Sequence, residues 1–199
     1  MTFATASIHS ACTAQMLFDS PLGPLLLART AHGLAGAWFE GQRDHPLQID
    51  APEVADDPLL TRTAAQLQAY FDGVPSAFDV PLDLRGTAFQ LAVWNALLEI
   101  GRGATCSYGD IARRVGRAAA VRAVGAAVGM NPVSIIVPCH RVIGSNGALT
   151  GYAGGLHRKV ALLRLEAGHG GVHAPGTQGR LDATWAEPGP LSVSAAARP

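Results

Sequence analysis

The stretch that decides the fold is Ile135-Ile136-Val137-Pro138-Cys139-His140-Arg141-Val142-Ile143. β-Branched residues flank its centre on both sides, which predicts buried strand structure at each flank. Pro138 lacks a backbone donor, so we expect the first strand to end or bend there. Cys139 then lies where a buried strand gives way to a turn, beside the imidazole of His140. A reactive thiol and an inert buried cysteine both fit this position.

A thiol at this position needs assistance to react, because the thiolate is the nucleophile and the ordinary cysteine pKa is about 8.5. Adjacent residues of a strand point to opposite sides, so His140 can serve Cys139 only if the chain turns here or a water bridges them. A carboxylate would orient the imidazole. Residues 85–168 hold three acids, Glu99, Asp110 and Glu166. Asp110 is assigned to a helix cap, whereas Glu166 stands unfavourably near a helix C-terminus and is therefore a candidate for function.

Charge is distributed unevenly along the 199 residues, although the net charge is zero. Residues 1–84 contain 3 Arg and 10 acidic residues, a net of −7, whereas residues 85–168 contain 9 Arg, 1 Lys and 3 acidic residues, a net of +7. This asymmetry suggests that only the second half contacts a polyanion. Mutual neutralisation of the two halves across an interface is the alternative.

The first half has the pattern of a small sheet followed by a helix. Apolar runs at residues 16–19, 25–29 and 34–39, separated by turn signals, predict an antiparallel meander. Residues 59–71 place apolar side chains at helical spacing and precede Gly73, which predicts an amphipathic helix with a glycine stop. Residues 74–85 are interpreted as an extended linker. We therefore place a support domain at residues 1–85.

The second half is predicted to be mainly helical. Thr87 and Gln90 form a capping box that opens one helix, and Ser107 and Asp110 repeat the pattern before a short helix at 108–115. A further helix at 118–128 consists of small residues apart from Arg122, which completes a helix-turn-helix pattern. Its small side chains would let a partner surface approach closely; burial between neighbouring helices is the alternative. A last helix is expected at 156–167.

Several classes of protein are disfavoured by the sequence. It contains no apolar run of the roughly 20 residues that span a bilayer, and no secretory signal pattern. Three cysteines, an odd number, suggest free thiols in a reducing compartment, so we expect a cytoplasmic protein. We also expect a monomer. We expect neither a metal site nor a cofactor, because zinc-type ligand spacings and phosphate-binding glycine loops are missing. Residues 169–199 are rich in Gly, Pro, Ala and Ser and are expected to be disordered.

A set of ordered motifs resembles the alkylguanine-DNA alkyltransferase family. Pro138-Cys139-His140-Arg141 is preceded by Gly129-Met130-Asn131-Pro132 and followed by Gly151-Tyr152-Ala153-Gly154-Gly155. Ser107-Tyr108-Gly109, Arg122-Ala123-Val124-Gly125 and Leu162-Leu163-Arg164-Leu165-Glu166 also match. The resemblance runs through residues 86–168 and is weaker over 16–84, where Asp19-Ser20-Pro21-Leu22-Gly23 matches best.

The resemblance implies an α+β fold. A small antiparallel sheet with a helix, similar to ribonuclease H, would occupy residues 1–85, and a mainly helical domain with a winged-helix or helix-turn-helix motif would occupy 86–168. The implied activity is DNA repair by one irreversible transfer of an alkyl group from guanine O6 to the protein, after base flipping from the minor groove. The implied partner is double-stranded DNA carrying alkylated guanine, with no membrane; O4 of alkylated thymine is a further candidate site.

The resemblance also implies roles for individual residues. Cys139 would accept the alkyl group, His140 would act as a base through a water, and Glu166 would orient it. Asn131 would fasten the turn and Tyr108 would protonate the departing guanine. DNA contacts are implied for Arg122, which would fill the gap left by the flipped base, and for Ala123, Gly125, Ser107 and Arg141. The guanine pocket is implied to include Tyr152, Val142 and Ala153.

Two other functions are considered. A non-catalytic protein that binds alkylated bases would use the same scaffold, but such relatives replace the acceptor cysteine, and Cys139 is present. A cysteine hydrolase would use Cys139 and His140, but its histidine is normally distant in sequence from the nucleophile.

Overall fold

A computed structural model describes residues 8, 10–43, 46, 48–75 and 77–168. Its N-terminal part contains an antiparallel sheet of three strands in the order β1 (Ala14–Ser20), β2 (Gly23–Arg29) and β3 (Leu34–Phe39). All three predicted apolar runs lie within these strands. β3 is buried along its whole length, so the sheet forms one wall of the core.

Helix α1 (Pro58–Phe71) packs on this sheet and begins one residue before the predicted start. The Asp57 side chain caps it by accepting hydrogen bonds from the backbone amides of Leu59 and Leu60, both at 3.0 Å. Proline at the first helical position is favourable because its missing amide hydrogen would have no helical partner. Apolar side chains at helical spacing then face the core: Leu60, Leu67 and Phe71.

The second part is mainly helical, with α2 (Ala88–Leu98), α3 (Tyr108–Arg114), α4 (Val121–Gly129) and α5 (Leu156–Glu166). Two short strands, β4 (Cys106–Ser107) and β5 (Val142–Ile143), pair in parallel. Both predicted capping boxes, at Thr87 and at Ser107, are present. The predicted α+β class with a helix-turn-helix is confirmed. The last of these helices begins at the predicted residue and ends one residue early.

Helix α4 is buried on one face only. Val124, Ala127 and Val128 pack inward, and the indole Nε1 of Trp94 donates a 2.8 Å hydrogen bond to the Ala127 carbonyl, which fixes α4 to α2. Arg122, on the opposite face, is exposed. Of the two interpretations of this smooth helix, burial on all sides is therefore wrong.

The predicted strand before Pro138 is wrong. Residues 133–139 form successive turns, in which the Val137 amide donates to the Val133 carbonyl and the Cys139 amide donates to the Val137 carbonyl. Ile135 adopts φ +72°, the left-handed region that is strained for a β-branched residue. Ile135 and Val137 are nevertheless fully buried. The apolar run thus predicted burial correctly, but burial does not specify an extended backbone.

The structure also differs from the prediction at the start of the second helix of the helix-turn-helix. The second helix begins at Val121 rather than at residue 118, because residues 118–120 form a turn. The expectation of disorder over 169–199 lies outside the described residues. Within the described part of the chain, none of the helices is long and apolar enough to cross a membrane.

Removing the cap of α2 should reduce stability by a predictable amount. The Thr87 hydroxyl accepts the Gln90 amide at 3.2 Å, and the Gln90 side chain accepts the Thr87 amide at 2.9 Å. We expect Thr87→Ala to lower the free energy of unfolding by about 1 kcal/mol, measured by urea denaturation. Thr87→Ser retains a capping hydroxyl and should behave like the wild type; an equal loss in both variants would contradict this account.

Candidate active site

Cys139 begins a single 3₁₀ turn, Cys139–Arg141, and is buried with 6% exposure. The side-chain amide of Asn131 donates to its sulfur at 3.0 Å and to the Val137 carbonyl at 2.8 Å. The Asn131 carbonyl oxygen accepts the Val133 amide at 3.0 Å. Asn131 therefore fastens the irregular segment before the cysteine and contacts the sulfur directly, which agrees with the role predicted for it.

The surroundings of Cys139 keep it a thiol until a base acts. Burial raises the pKa of Cys139. The Asn131 hydrogen bond, the positive charge of Lys159 and the backbone amides of Cys139 and His140 lower that pKa, but they do not cancel the effect of burial. Since the thiolate is the nucleophile, a group that removes the proton is required.

The carboxylate of Glu166 receives hydrogen bonds from four residues. Its Oε1 accepts from the Tyr70 hydroxyl at 2.8 Å, from His140 Nε2 at 2.9 Å and from Arg141 Nη2 at 2.8 Å. Its Oε2 accepts from Arg141 Nε at 2.9 Å and from the Gly103 amide at 3.3 Å. Burial raises the pKa of Glu166, but the hydrogen bonds from His140 and Arg141 outweigh burial and hold that pKa well below its usual range. Glu166 is therefore ionised.

The ionised carboxylate fixes the tautomer of His140. A carboxylate only accepts, so Nε2 must carry the hydrogen, and Nδ1 holds the lone pair. Burial lowers the pKa of His140 more than Glu166 raises it, so the imidazole is neutral at neutral pH. Nδ1 has no hydrogen-bond partner within the described residues. The backbone turns at Cys139–Arg141, and within the described residues Nδ1 of the neutral imidazole is available to accept a proton.

Arg141, which is predicted to contact DNA, is directed at the buried carboxylate of Glu166. Its side chain is 11% exposed. Besides its two hydrogen bonds to Glu166, it donates through Nη1 to the Ile100 carbonyl. The tight turn after Pro138 brings His140 and Arg141 to the same carboxylate. The guanidinium therefore compensates a buried anion, and its contact with DNA stays a prediction.

A small cleft with a cavity volume of about 50 Å³ is lined by Cys139, Tyr108, Gly125, Tyr152 and Ala153, among others. The Tyr108 hydroxyl donates to the Thr150 carbonyl at 3.1 Å. Burial raises the pKa of Tyr108, so its hydroxyl stays protonated and able to donate. The structure thus brings the predicted thiol, the predicted proton donor and two predicted pocket residues into one cleft.

The other residues predicted to contact DNA or guanine are partly exposed and partly engaged in hydrogen bonds within the protein. Arg122 and Ala123 are exposed on the first turn of α4. The Ser107 hydroxyl is engaged by Asp110 in the capping box of α3, and the Val142 carbonyl accepts a hydrogen bond from Lys159. These geometries leave the DNA and guanine contacts as predictions. No group of three potential metal-ligating side chains occurs in the part of the chain that the structure describes.

Lys159 is a functional candidate that the sequence reasoning missed. It is fully buried, and its ammonium donates to the carbonyls of Val142 at 2.6 Å, Thr150 at 2.9 Å and Gly151 at 3.3 Å. Burial lowers the pKa of Lys159 to about 8, although the nearby Cys139 opposes this shift. The sequence could have indicated that this lysine is buried. It is the chain's single lysine, and it precedes Leu162 and Leu163 by three and four residues, so it lies on their apolar face of the helix.

Two family models match the chain. The model of the 6-O-methylguanine DNA methyltransferase ribonuclease-like domain matches residues 15–84, and that of the DNA binding domain of the same family matches residues 88–168. The chain belongs to the 6-O-methylguanine DNA methyltransferase family. The resemblance seen in the sequence is thereby confirmed.

Individual members of this methyltransferase family are similar to this chain in sequence and structure over most of its length. The methylated-DNA–protein-cysteine methyltransferase of Methanosarcina acetivorans is 49% identical over 153 residues, which cover 75% of this chain and 96% of the relative. That of Mycobacterium tuberculosis is 51% identical over 148 residues, covering 74% and 88%. The crystal structure of M. tuberculosis OGT in complex with DNA superposes with a TM-score of 0.71 at 47% identity, covering 82% of this chain and 96% of that one.

Removing the charge of Lys159 should make Cys139 less reactive. A neutral residue at this position no longer favours the thiolate, so the pKa of Cys139 rises. We expect Lys159→Met to slow iodoacetamide labelling of Cys139 at neutral pH by roughly tenfold, as one pKa unit implies. The difference should shrink above about pH 8, because wild-type Lys159 then loses its proton. Labelling is measured by mass spectrometry of the peptide that contains Cys139.

Arg164→Met is the matched control, because it removes one positive charge from the exposed side of the same helix. Cys106 is also buried, so its labelling by iodoacetamide, measured in the same sample, shows whether a variant exposes buried thiols in general. Equal slowing in both variants, or faster labelling of Cys106 in Lys159→Met, would contradict a specific effect of Lys159 on Cys139.

Proposed function

We propose that this chain repairs DNA by transferring an alkyl group from O6 of guanine to Cys139 in one irreversible step, as a methylated-DNA–protein-cysteine S-methyltransferase. The observation that carries the proposal is the arrangement around the sulfur. Cys139 lies in the cleft, Asn131 donates to its sulfur, and the neutral imidazole of His140 is backed by ionised Glu166. The names of the relatives agree with this activity.

The chemical step uses these groups in order. His140 Nδ1 takes the thiol proton of Cys139 through a water, and Glu166 stabilises the resulting imidazolium. The sulfur attacks the alkyl carbon, a carbon–sulfur bond forms, and the bond between that carbon and O6 breaks, with its electron pair passing to guanine. Tyr108 donates a proton to the departing base. The product is a thioether, so each molecule reacts once.

The route of the base into the cleft is proposed from the shape and charge of the helical part. A thiol cannot reach a base inside a duplex, so the nucleotide must be flipped out at a cost of a few kcal/mol. The exposed face of α4 carries small residues, which suit close approach to the minor groove, and Arg122 would fill the gap in the base stack. The net charge of +7 over residues 85–168 favours phosphate contacts that weaken with salt.

The organisation of the chain is part of the same proposal. Residues 1–85 would support residues 86–168, which carry the cleft and the helix-turn-helix. Cys12, Cys106 and Cys139 are free thiols in the described structure, and the reaction requires a reduced sulfur. We therefore propose a cytoplasmic location, and the monomeric state stays a prediction.

Transfer of a labelled methyl group tests the proposal directly. Incubation with duplex DNA carrying a labelled methyl at guanine O6 should place one label per molecule on Cys139, mapped by mass spectrometry. Cys139→Ala should bind DNA without transfer, whereas Cys106→Ala should transfer normally. Tight binding without transfer by the wild type would indicate a lesion-binding protein. Turnover of an ester or amide would indicate a hydrolase.

Arg122 should matter for duplex DNA and little for a free base. We expect Arg122→Ala to slow transfer from duplex by roughly tenfold or more while leaving transfer from a free O6-alkylguanine base unchanged, because only the duplex requires a flipped nucleotide. Single-turnover rates on both substrates provide the measurement. Arg122→Lys keeps the charge and separates electrostatic attraction from insertion. Equal losses on the two substrates would count against insertion.

A further inference from the structure

Tyr70 connects the N-terminal helix α1 to the buried carboxylate behind the cysteine. It is 2% exposed, and its hydroxyl donates to Glu166 Oε1 at 2.8 Å across 96 residues of sequence. Burial and the charge of Glu166 raise the pKa of Tyr70 far above its ordinary value, so the hydroxyl keeps its proton. Tyr70 is therefore a permanent donor to Glu166.

The same carboxylate oxygen accepts His140 Nε2 at 2.9 Å. Together with Arg141 Nη2, three donors thus share this oxygen, and the charge that Tyr70 stabilises is less available to the imidazole. The hydroxyl consequently affects both where the carboxylate lies and how strongly it favours the protonated form of His140.

The ring of Tyr70 is held in place from several directions. It packs against Phe71 and Phe78 with ring centroids 5.5 and 5.6 Å away, and the Arg102 guanidinium lies 5.2 Å from its centroid. A hydroxyl on a ring fixed in this way has a defined position, as a positioning group requires.

We propose that Tyr70 is a positioning residue for alkyl transfer, which acts through Glu166 to hold His140 and to limit its affinity for a proton. The proposal rests on the proposed roles of His140 and Glu166, and it gives the N-terminal part of the chain a role in the chemistry. Other charged and titratable groups near this pair are Arg141 in the same turn, Lys159 on α5, and Cys139 and Tyr152 beside the cleft.

The direction of the effect follows from the charge on Glu166. Removing the Tyr70 hydroxyl leaves more negative charge on Oε1 for the imidazole, so the pKa of His140 rises. The neutral imidazole is the active form, and at a given acidic pH less of it is present. The acid limb of the rate profile therefore moves to higher pH.

Single-turnover transfer from O6-methylguanine duplex, measured between about pH 5 and about pH 9, tests this inference. We expect Tyr70→Phe to shift the acid limb upward by about half a pH unit or more. Thr63→Val is the matched control, because it removes a buried hydroxyl from the same helix, where that hydroxyl donates to the Leu59 carbonyl at 2.8 Å. Its acid limb should stay at the wild-type position. Glu166→Gln should slow transfer strongly.

A slower Tyr70→Phe reaction with an unshifted acid limb would show a purely structural role and overturn the inference. If that result accompanies strong slowing in Glu166→Gln, the proposed function stands without Tyr70. Failure of the wild type to transfer methyl groups would instead overturn the proposed function. A second measurement needs only folded wild-type protein: the Tyr70 hydroxyl proton should give a slowly exchanging NMR signal that moves as His140 titrates. Absence of that signal would also overturn the inference.

Discussion

The buried negative charge of Glu166 is the constraint on which the site depends. An ion of this size, removed from water without partners, costs several kcal/mol, so the fold must deliver donors to it. They come from α1, from the loop before β4 and from the turn after Pro138, as Tyr70, the Gly103 amide, His140 and Arg141. The carboxylate that sets the tautomer of the His140 imidazole is therefore also one point at which the two halves of the chain are joined.

A second constraint is the irregular backbone before Cys139. Ile135 lies at φ +72°, a conformation that costs a β-branched residue about 1–3 kcal/mol, and it persists because the surroundings hold it. The Asn131 side chain bonds to the backbone of Val133 and Val137 as well as to the sulfur. The apolar side chains of Val133, Ile135 and Val137 are fully buried. Packing and one amide thus fix the thiol on a rigid turn at the base of the cleft.

Charge and burial have opposing effects on the pKa values of the groups in the cleft. Burial raises the pKa of Cys139 and lowers that of His140, so both groups are neutral, while Asn131 and Lys159 favour the charged form of Cys139 and Glu166 favours that of His140. The ammonium of Lys159 also ties β5 to the loop that carries Tyr152. Helix α4 borders the same cleft through Gly125 and Gly129, which places its surface next to the Cys139 sulfur.

The sequence by itself determined the features that depend on neighbouring residues: the helices with their capping boxes, the three-stranded meander, the charge asymmetry and the ordered motifs that identify the family. Tertiary structure alone decided what distant residues do together. Arg141 follows the histidine in a basic half, and only the fold shows that it donates two hydrogen bonds to the buried carboxylate of Glu166. Tyr70 and Lys159 look like ordinary helix residues until packing brings them to the site. The physical reason is that hydrogen bonds to a buried charge join residues up to 96 positions apart, and such partners leave no periodic pattern in the chain.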